Sequence, residues 1–160
     1  TYEVKIIDTY ATHIAPTAEQ LIVALVARHT PYKTALDKRP IALGLISDQS
    51  PILRPDTEWI EFFGQPTAFI DGGEKIAMKF HIPAYFVCID RVAVGRYAVT
   101  FEEVFDGEEQ VEEWEITRRY AERLEAMIRR RPELWLWSHN RWRHTPEKQA
   151  KRLGKSTLKE

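Results

Sequence analysis

Few folds can accommodate Ile41-Ala42-Leu43-Gly44-Leu45-Ile46, a continuous apolar run introduced by Pro40 and cut off by Ser47-Asp48-Gln49-Ser50-Pro51. An apolar stretch of this length without alternation fits a strand covered on both faces, as at the centre of a parallel sheet. Polar side chains at the end of such a strand mark the place where open α/β sheets bind ligands. Asp48 and Gln49 supply a carboxylate and an amide there, suited to orienting a hydroxyl or holding a catalytic side chain. Asp-Gln-Ser-Pro is equally ordinary turn chemistry, and both readings stand at this point.

The flanking sequence predicts a layered α/β fold, a sheet flanked by helices. Tyr2, Val4 and Ile6 alternate as in a half-buried strand. Thr17 and Gln20 form a capping-box pattern, which predicts a helix to about Arg28 whose run Leu21–Ala27 is apolar on every side. Residues 52–65 read as a loop or short extended stretch. A second helix begins at Asp71-Gly72-Gly73-Glu74, carries Ile76, Ala77 and Phe80, and has Asp71 or Thr67 near its cap. Tyr85–Ile89 and Tyr97–Phe101 read as strands able to pair as a hairpin. The longest helix carries Ile116, Tyr120, Leu124 and Met127 on one face, with acidic residues at its start and Arg129–Arg131 at its end, before Pro132. From residue 149 the chain turns Lys-rich and loses apolar periodicity, which predicts one domain over 1–148 and a flexible basic tail over 149–160.

Composition excludes several classes of function. With 23 Lys+Arg against 24 Asp+Glu the 160-residue chain carries a net charge of −1, and its pI is about 6.5. A nucleic-acid-binding domain usually carries a strong basic balance, which counts against that class, although a local patch leaves a non-catalytic anion- or nucleic-acid-binding α/β module, using the Trp/Arg-rich C-terminal segment, as the alternative reading. The single cysteine, Cys88, allows no intramolecular disulfide and no multi-cysteine zinc site; set among Phe86, Val87 and Ile89, it reads as a buried small residue. His139 and His144 lie five apart with no acidic cluster, so no metal site is expected. No Gly-x-Ser-x-Gly elbow or phosphate loop occurs. Gly72-Gly73 at a helix start could face an anion, but close backbone approach explains the pair better.

The segment Trp135-Leu136-Trp137-Ser138-His139-Asn140-Arg141-Trp142-Arg143-His144 interleaves aromatic and basic residues. Such a composition suits a phospholipid headgroup, an acidic carrier protein or nucleic acid. Alternatively it is a tryptophan-anchored segment, with Trp135 and Trp137 in the core and the arginines outward.

Three blocks, Leu45–Pro51, Glu74–Ala77 and Pro132–Arg143, together resemble the lipid A biosynthesis acyltransferase family, the likeness running from about Ile41 to Pro146. The resemblance implies the C-terminal part of a glycerolipid-acyltransferase-like fold. It implies transfer of a fatty acyl group from acyl carrier protein or coenzyme A to a hydroxyl of a lipid acceptor, without a cofactor and without nucleic acid. It places the protein at the cytoplasmic face of a bacterial inner membrane, held through an upstream region. The family's base is the histidine of a His-x-x-x-x-Asp/Glu motif. Five positions after His13, His29, His81, His139 and His144 stand Ala18, Thr34, Phe86, His144 and Gln149, none of them acidic. The resemblance therefore assigns no catalytic residue to this chain, only substrate-binding candidates: Asp48 and Gln49 after the strand, Arg91 after a later one, and His139, Arg141 and Arg143 in the late block. Thr1 in place of a start residue, and a chain opening in a strand, lead us to expect a fragment; a natural remnant without catalysis is the competing reading.

Overall fold

The computed structural model describes residues 22–27, 41–94 and 96–156. The longest helix, α2 (Glu115–Arg130), forms where apolar residues recur at helical spacing: Ile116, Tyr120, Leu124 and Met127 are all buried, with Thr117, Ala121 and Ile128 beside them. Its buried stripe packs on three strands, β3 (Trp59–Phe62), β5 (Ala84–Ala93) and β6 (Arg96–Phe105). Phe62, Phe69, Phe86 and Leu124 are almost wholly enclosed in this core. Tyr120 sits edge-on to Phe69 at 6.1 Å and tilted against Phe86 at 5.7 Å, within the favourable range for aromatic pairs.

The architecture is mixed α/β, as the sequence predicts, but all three described strand pairings are antiparallel. The parallel sheet expected around Ile41–Ile46 is therefore corrected. That run forms β2 (Ile41–Leu45), which pairs with β1 (Ile22–Ala27), and Leu43, Gly44 and Leu45 are half-buried rather than enclosed. An unbroken apolar run specifies burial but not the direction of its neighbour. The helix expected to run to Arg28 is corrected too: Ile22–Ala27 is strand β1. Periodicity cannot separate a short all-apolar helix from a strand, and the β-branched Ile22, Val23 and Val26 favour the strand. The expected strand at Tyr2–Ile6 and the cap at Thr17 lie outside the described residues.

Residues 52–65, expected as a loop or short extended stretch, contain β3, which turns back into β4 (Gln65–Ala68). The connection is Phe63-Gly64, with φ of 54° and 70°, the positive values a tight two-residue hairpin turn demands. β5 and β6 form the expected hairpin, and β6 continues to Phe105. Gly107, at φ 93°, closes the return toward α2; a Cβ there would meet Ile82 C and Pro83 N at 3.1 Å.

The helix at the diglycine is α1 (Gly72–Phe80), but Asp71 makes no side-chain cap bond. Its carboxylate instead binds Arg54 and Lys75. The flexible basic tail expected from residue 149 is corrected as well. α3 (Pro146–Ser156) crosses that boundary, and Gln149 is buried, accepting from Trp59 Nε1 at 2.9 Å and donating to the Arg54 carbonyl at 2.6 Å. Helix α3 carries Lys148, Lys151 and Lys155 on a polar sequence, and this one buried amide supplies an anchor that apolar periodicity could not reveal.

Of the two expected tryptophan anchors only one is in the core. Trp135 is 6% exposed and packs on Phe62 at 6.5 Å. Trp137 is 57% exposed and donates its indole N–H to the Pro132 carbonyl at the surface. Trp135→Ala is expected to cost about 3–5 kcal/mol of stability through the cavity it leaves. Trp137→Ala removes a single exposed hydrogen bond and is expected to cost about 1 kcal/mol or less. Urea unfolding of both variants checks the contrast, which similar losses would contradict.

Candidate functional site

The Ser47–Pro51 loop leaves the end of β2 and meets the late segment of the chain directly. The Ser50 N–H donates to His139 Nε2 at 3.1 Å, and the Ser50 hydroxyl shares its one proton between the carbonyls of Asn140 and Arg141 at 3.2 and 3.0 Å. One short side chain thus clasps two of the three sequence blocks together. A backbone N–H can only donate, so His139 Nε2 carries the lone pair and Nδ1 the proton. Partial burial, then the positive charges of Arg141 and Arg143, lower the His139 pKa. The imidazole is a neutral acceptor with that lone pair occupied, so it is not free to act as a base.

Arg141 lies behind this clasp, only 3% exposed. Its guanidinium donates to the Ala68 carbonyl at 2.8 Å and stands 4.3 Å from the Phe69 ring centroid. Burial lowers its pKa to about 10, with Tyr120 and Asp48 acting against that fall, and it stays charged at neutral pH. Burial likewise raises the Tyr120 pKa well above the usual phenol value, helped by the negative charge of Asp48. Asp48, Arg141 and Tyr120 thus form one electrostatically coupled cluster. The Tyr120 hydroxyl and Arg141 Nε are buried and make no hydrogen bond with the protein.

The loop has space on two sides. Ser47, Glu74 and Tyr120 border an interior cavity of about 20 Å³, the scale of a single water. Ser50, Ile52, Arg54, Phe69, Asp71 and Trp114 border an open groove of about 500 Å³, within the size range of small-ligand sites. Its floor is apolar at Phe69 and Trp114, and its rim carries the Arg54–Asp71 ion pair. Burial opposes the Asp71 charge, but hydrogen bonds from Lys75 and Arg54, and their charges, outweigh it and hold the carboxyl below its usual range.

Glu74 belongs to the third sequence block, and its role is structural. Its carboxylate accepts from the N–H and hydroxyl of Thr117, satisfying donors in the first turn of α2, which has no side-chain cap of its own. Burial raises its pKa, hydrogen bonds from Thr117 and Trp114 oppose the rise, and the Asp71 charge adds to it.

The six sequence candidates separate. Asp48, His139 and Arg141 come together. Gln49 and Arg143 are exposed on the two segments the clasp joins, with Arg143 Nε 2.9 Å from His144 Nε2. Arg91 is exposed on β5, seven residues beyond Ala84 at the interior cavity, about 23 Å along the strand, and the structure does not bring it to this site. The expectation that Arg141 reaches outward to an anion is corrected: its charge lies in the interior, held by a carbonyl and an aromatic face. In the late segment Trp135 and Arg141 are thus buried, while Trp137 and Arg143 remain exposed. Reasoning from sequence missed Tyr120 and Ser50: one was hidden in an apolar helix stripe, the other in turn chemistry.

Arg141→Met removes a buried guanidinium from the Ala68 carbonyl and the Phe69 face and is expected to destabilise by about 3–5 kcal/mol, and Arg143→Ala by no more than about 0.5 kcal/mol. Urea unfolding measures both, and equal effects would contradict the buried position. For Glu74 the sign follows from its raised pKa. The folded protein keeps a proton there at pH values where the unfolded chain, titrating near about 4.3, has released it. Stability contributed by the residue therefore falls as pH rises through that window. The unfolding free energy of Glu74→Gln relative to wild type should shift in favour of the variant from about pH 4 upward, and a pH-independent difference would contradict the assignment.

No curated protein matches the chain. The sequence signature of the bacterial lipid A biosynthesis acyltransferases matches residues 38–144. That span contains all three sequence blocks, the Ser47–Pro51 loop and the segment that clasps it. It also covers more than half of the 160 residues, and the chain belongs to the bacterial lipid A biosynthesis acyltransferase family.

Proposed function

We propose that this chain is the substrate-positioning part of an acyltransferase that moves a fatty acyl group from a thioester on acyl carrier protein or coenzyme A to a hydroxyl of lipid A or a related lipid. The observation that carries this reading is the clasp between Ser50 and residues 139–141, which gathers two family blocks beside the groove. In this reading the apolar floor at Phe69 and Trp114 holds an alkyl chain, and the polar rim faces the thioester or the headgroup. Asp48 accepts a hydrogen bond from the acceptor hydroxyl, with the Arg141 charge behind it. Gln49 and Arg143 contact polar parts of the substrates from the exposed ends of the two segments.

Proton removal is assigned elsewhere. None of the five histidines begins a His-x-x-x-x-Asp/Glu motif, and the His139 lone pair is occupied. Positioning without the base gives binding without turnover. Donor and acceptor would meet at the cytoplasmic face of the inner membrane, where the lipid resides. Among the described residues no helix is long and apolar enough to cross a membrane, and a surface encounter with the bilayer is part of the same proposal.

The test combines two measurements. The 160-residue chain, incubated with radiolabelled acyl thioester and a lipid A precursor, is expected to give no acylated lipid; turnover abolished by changing one of its histidines would overturn the reading. In a protein that also carries the His-x-x-x-x-Asp/Glu motif, Asp48→Asn is expected to lower acyl transfer per folded molecule by about ten- to a hundredfold. Normal specific activity of that variant would make Asp48 a structural residue only.

A further inference from the structure

The β5–β6 hairpin reaches beyond the core. Val104 and Phe105 at the base of β6 are buried, whereas every residue from Arg96 to Glu103 is exposed. Tyr97, Val99 and Phe101 alternate onto one face and are 46%, 51% and 51% exposed. Among the described residues β6 pairs with β5 alone; the Glu103 carbonyl accepts from Arg123 at 3.0 Å, and the edge from Arg96 to Glu102 presents its N–H and C=O groups to a further strand. Edge strands usually discourage such pairing with lysine or proline, and Arg96–Glu103 contains neither.

The sequence of this edge indicates what pairs with it. Arg96-Tyr97-Ala98-Val99-Thr100-Phe101-Glu102 is a chemical palindrome about Val99. When the strand is laid antiparallel against a copy of itself with the two Val99 residues opposite each other, Arg96 faces Glu102, Tyr97 faces Phe101, and Ala98 faces Thr100. Opposite charges and aromatic pairs directly across an antiparallel ladder are among the favourable cross-strand combinations. The two faces also match. Tyr97, Val99 and Phe101 of both copies form one continuous apolar row, while Arg96 and Glu102 meet on the other face. Glu102 lies 3.7 Å from Arg123 within its own chain, with its side chain 46% exposed, so it remains open to a second cation. Moving the centre to Thr100 sets Tyr97 against Glu103 and Ala98 against Glu102, losing both the charge pair and the aromatic pair. A shift by a single residue places the apolar row of one strand opposite the polar face of the other.

We propose that β6 is the seam of a two-fold homodimer, in which the hairpins of two copies of this chain join into one four-stranded antiparallel sheet centred on Val99. Such an interface is isologous, each contact occurring twice about the axis. The proposal is independent of the acyl-transfer reading, because β6 lines neither the groove nor the clasp.

Sedimentation or light scattering of the 160-residue chain over a concentration series tests it, with a species of twice 18.7 kDa expected. Val99→Arg places like charges opposite each other on the axis and is expected to weaken association by about a hundredfold or more, with the circular dichroism spectrum unchanged and a thermal melt that matches wild type at concentrations too low for either to associate. Glu102→Arg should dissociate the dimer, and adding Arg96→Glu in the same chain should restore it. Val99→Cys should cross-link under mild oxidation, because directly opposed Cα atoms stand about 4.5–5.5 Å apart, within disulfide reach. The wild type, whose one thiol is the buried Cys88, should not. A monomer at all concentrations, or a dimer indifferent to Val99→Arg, would overturn the proposal.

Discussion

A guanidinium taken out of water is expensive unless polar and charged groups answer it, and Arg141 is placed where three groups from two parts of the chain do so. The carbonyl of Ala68 comes from the end of β4, the aromatic face from Phe69 just beyond, and the opposing negative charge from Asp48 after β2. None of these groups can move far without leaving a charge stranded in the core, where the loss of one partner costs several times what an exposed pair contributes. The path of the Ser47–Pro51 loop is therefore dictated from behind, and the clasp at Ser50 fixes it from the front. What lines the groove is a consequence of these two restraints acting on a five-residue turn.

Glu74 plays a corresponding part for the helices. A helix that begins at a tryptophan with φ of 71° and no cap of its own would leave first-turn donors buried without partners. A carboxylate from α1 supplies the acceptor, so one side chain ties the start of α2 to α1. Glu74, Thr117 and, three residues further along α2, Tyr120 all border the same small cavity.

The sequence made α1, α2 and the β5–β6 hairpin legible, because in each the spacing of apolar residues admits one structure. It did not make β1 or the partner direction of β2 legible, since an unbroken apolar run carries no period. The site was half visible. Asp48, His139 and Arg141 stood out by residue type at a strand end and in an unusual segment, but type alone placed Arg141 on the surface. Only its surroundings, Phe69 and the Ala68 carbonyl, show it to be interior. Trp135 and Trp137, two residues apart and alike in kind, went to opposite environments for the same reason: their fates are decided by Phe62 and Pro132, one distant in the chain and the other marked by nothing but a backbone carbonyl. Gln149 shows the limit most plainly, one buried amide in a stretch that reads as solvated from end to end.

The clasp joins residues ninety-one positions apart, and the Gln149 anchor spans ninety-five. Closing loops of that length brings its reward only after most of the chain is already in place, so such contacts form late on the route to the native state. During synthesis the Ser47–Pro51 loop leaves the ribosome long before Asn140 and Arg141 exist to hold it. Helices α1 and α2 and the β5–β6 hairpin can assemble from local contacts in that interval, while the groove waits for the late segment to emerge. Order of birth and order of assembly coincide here: the wall of the groove that the Ser47–Pro51 loop supplies is set only when the late segment arrives.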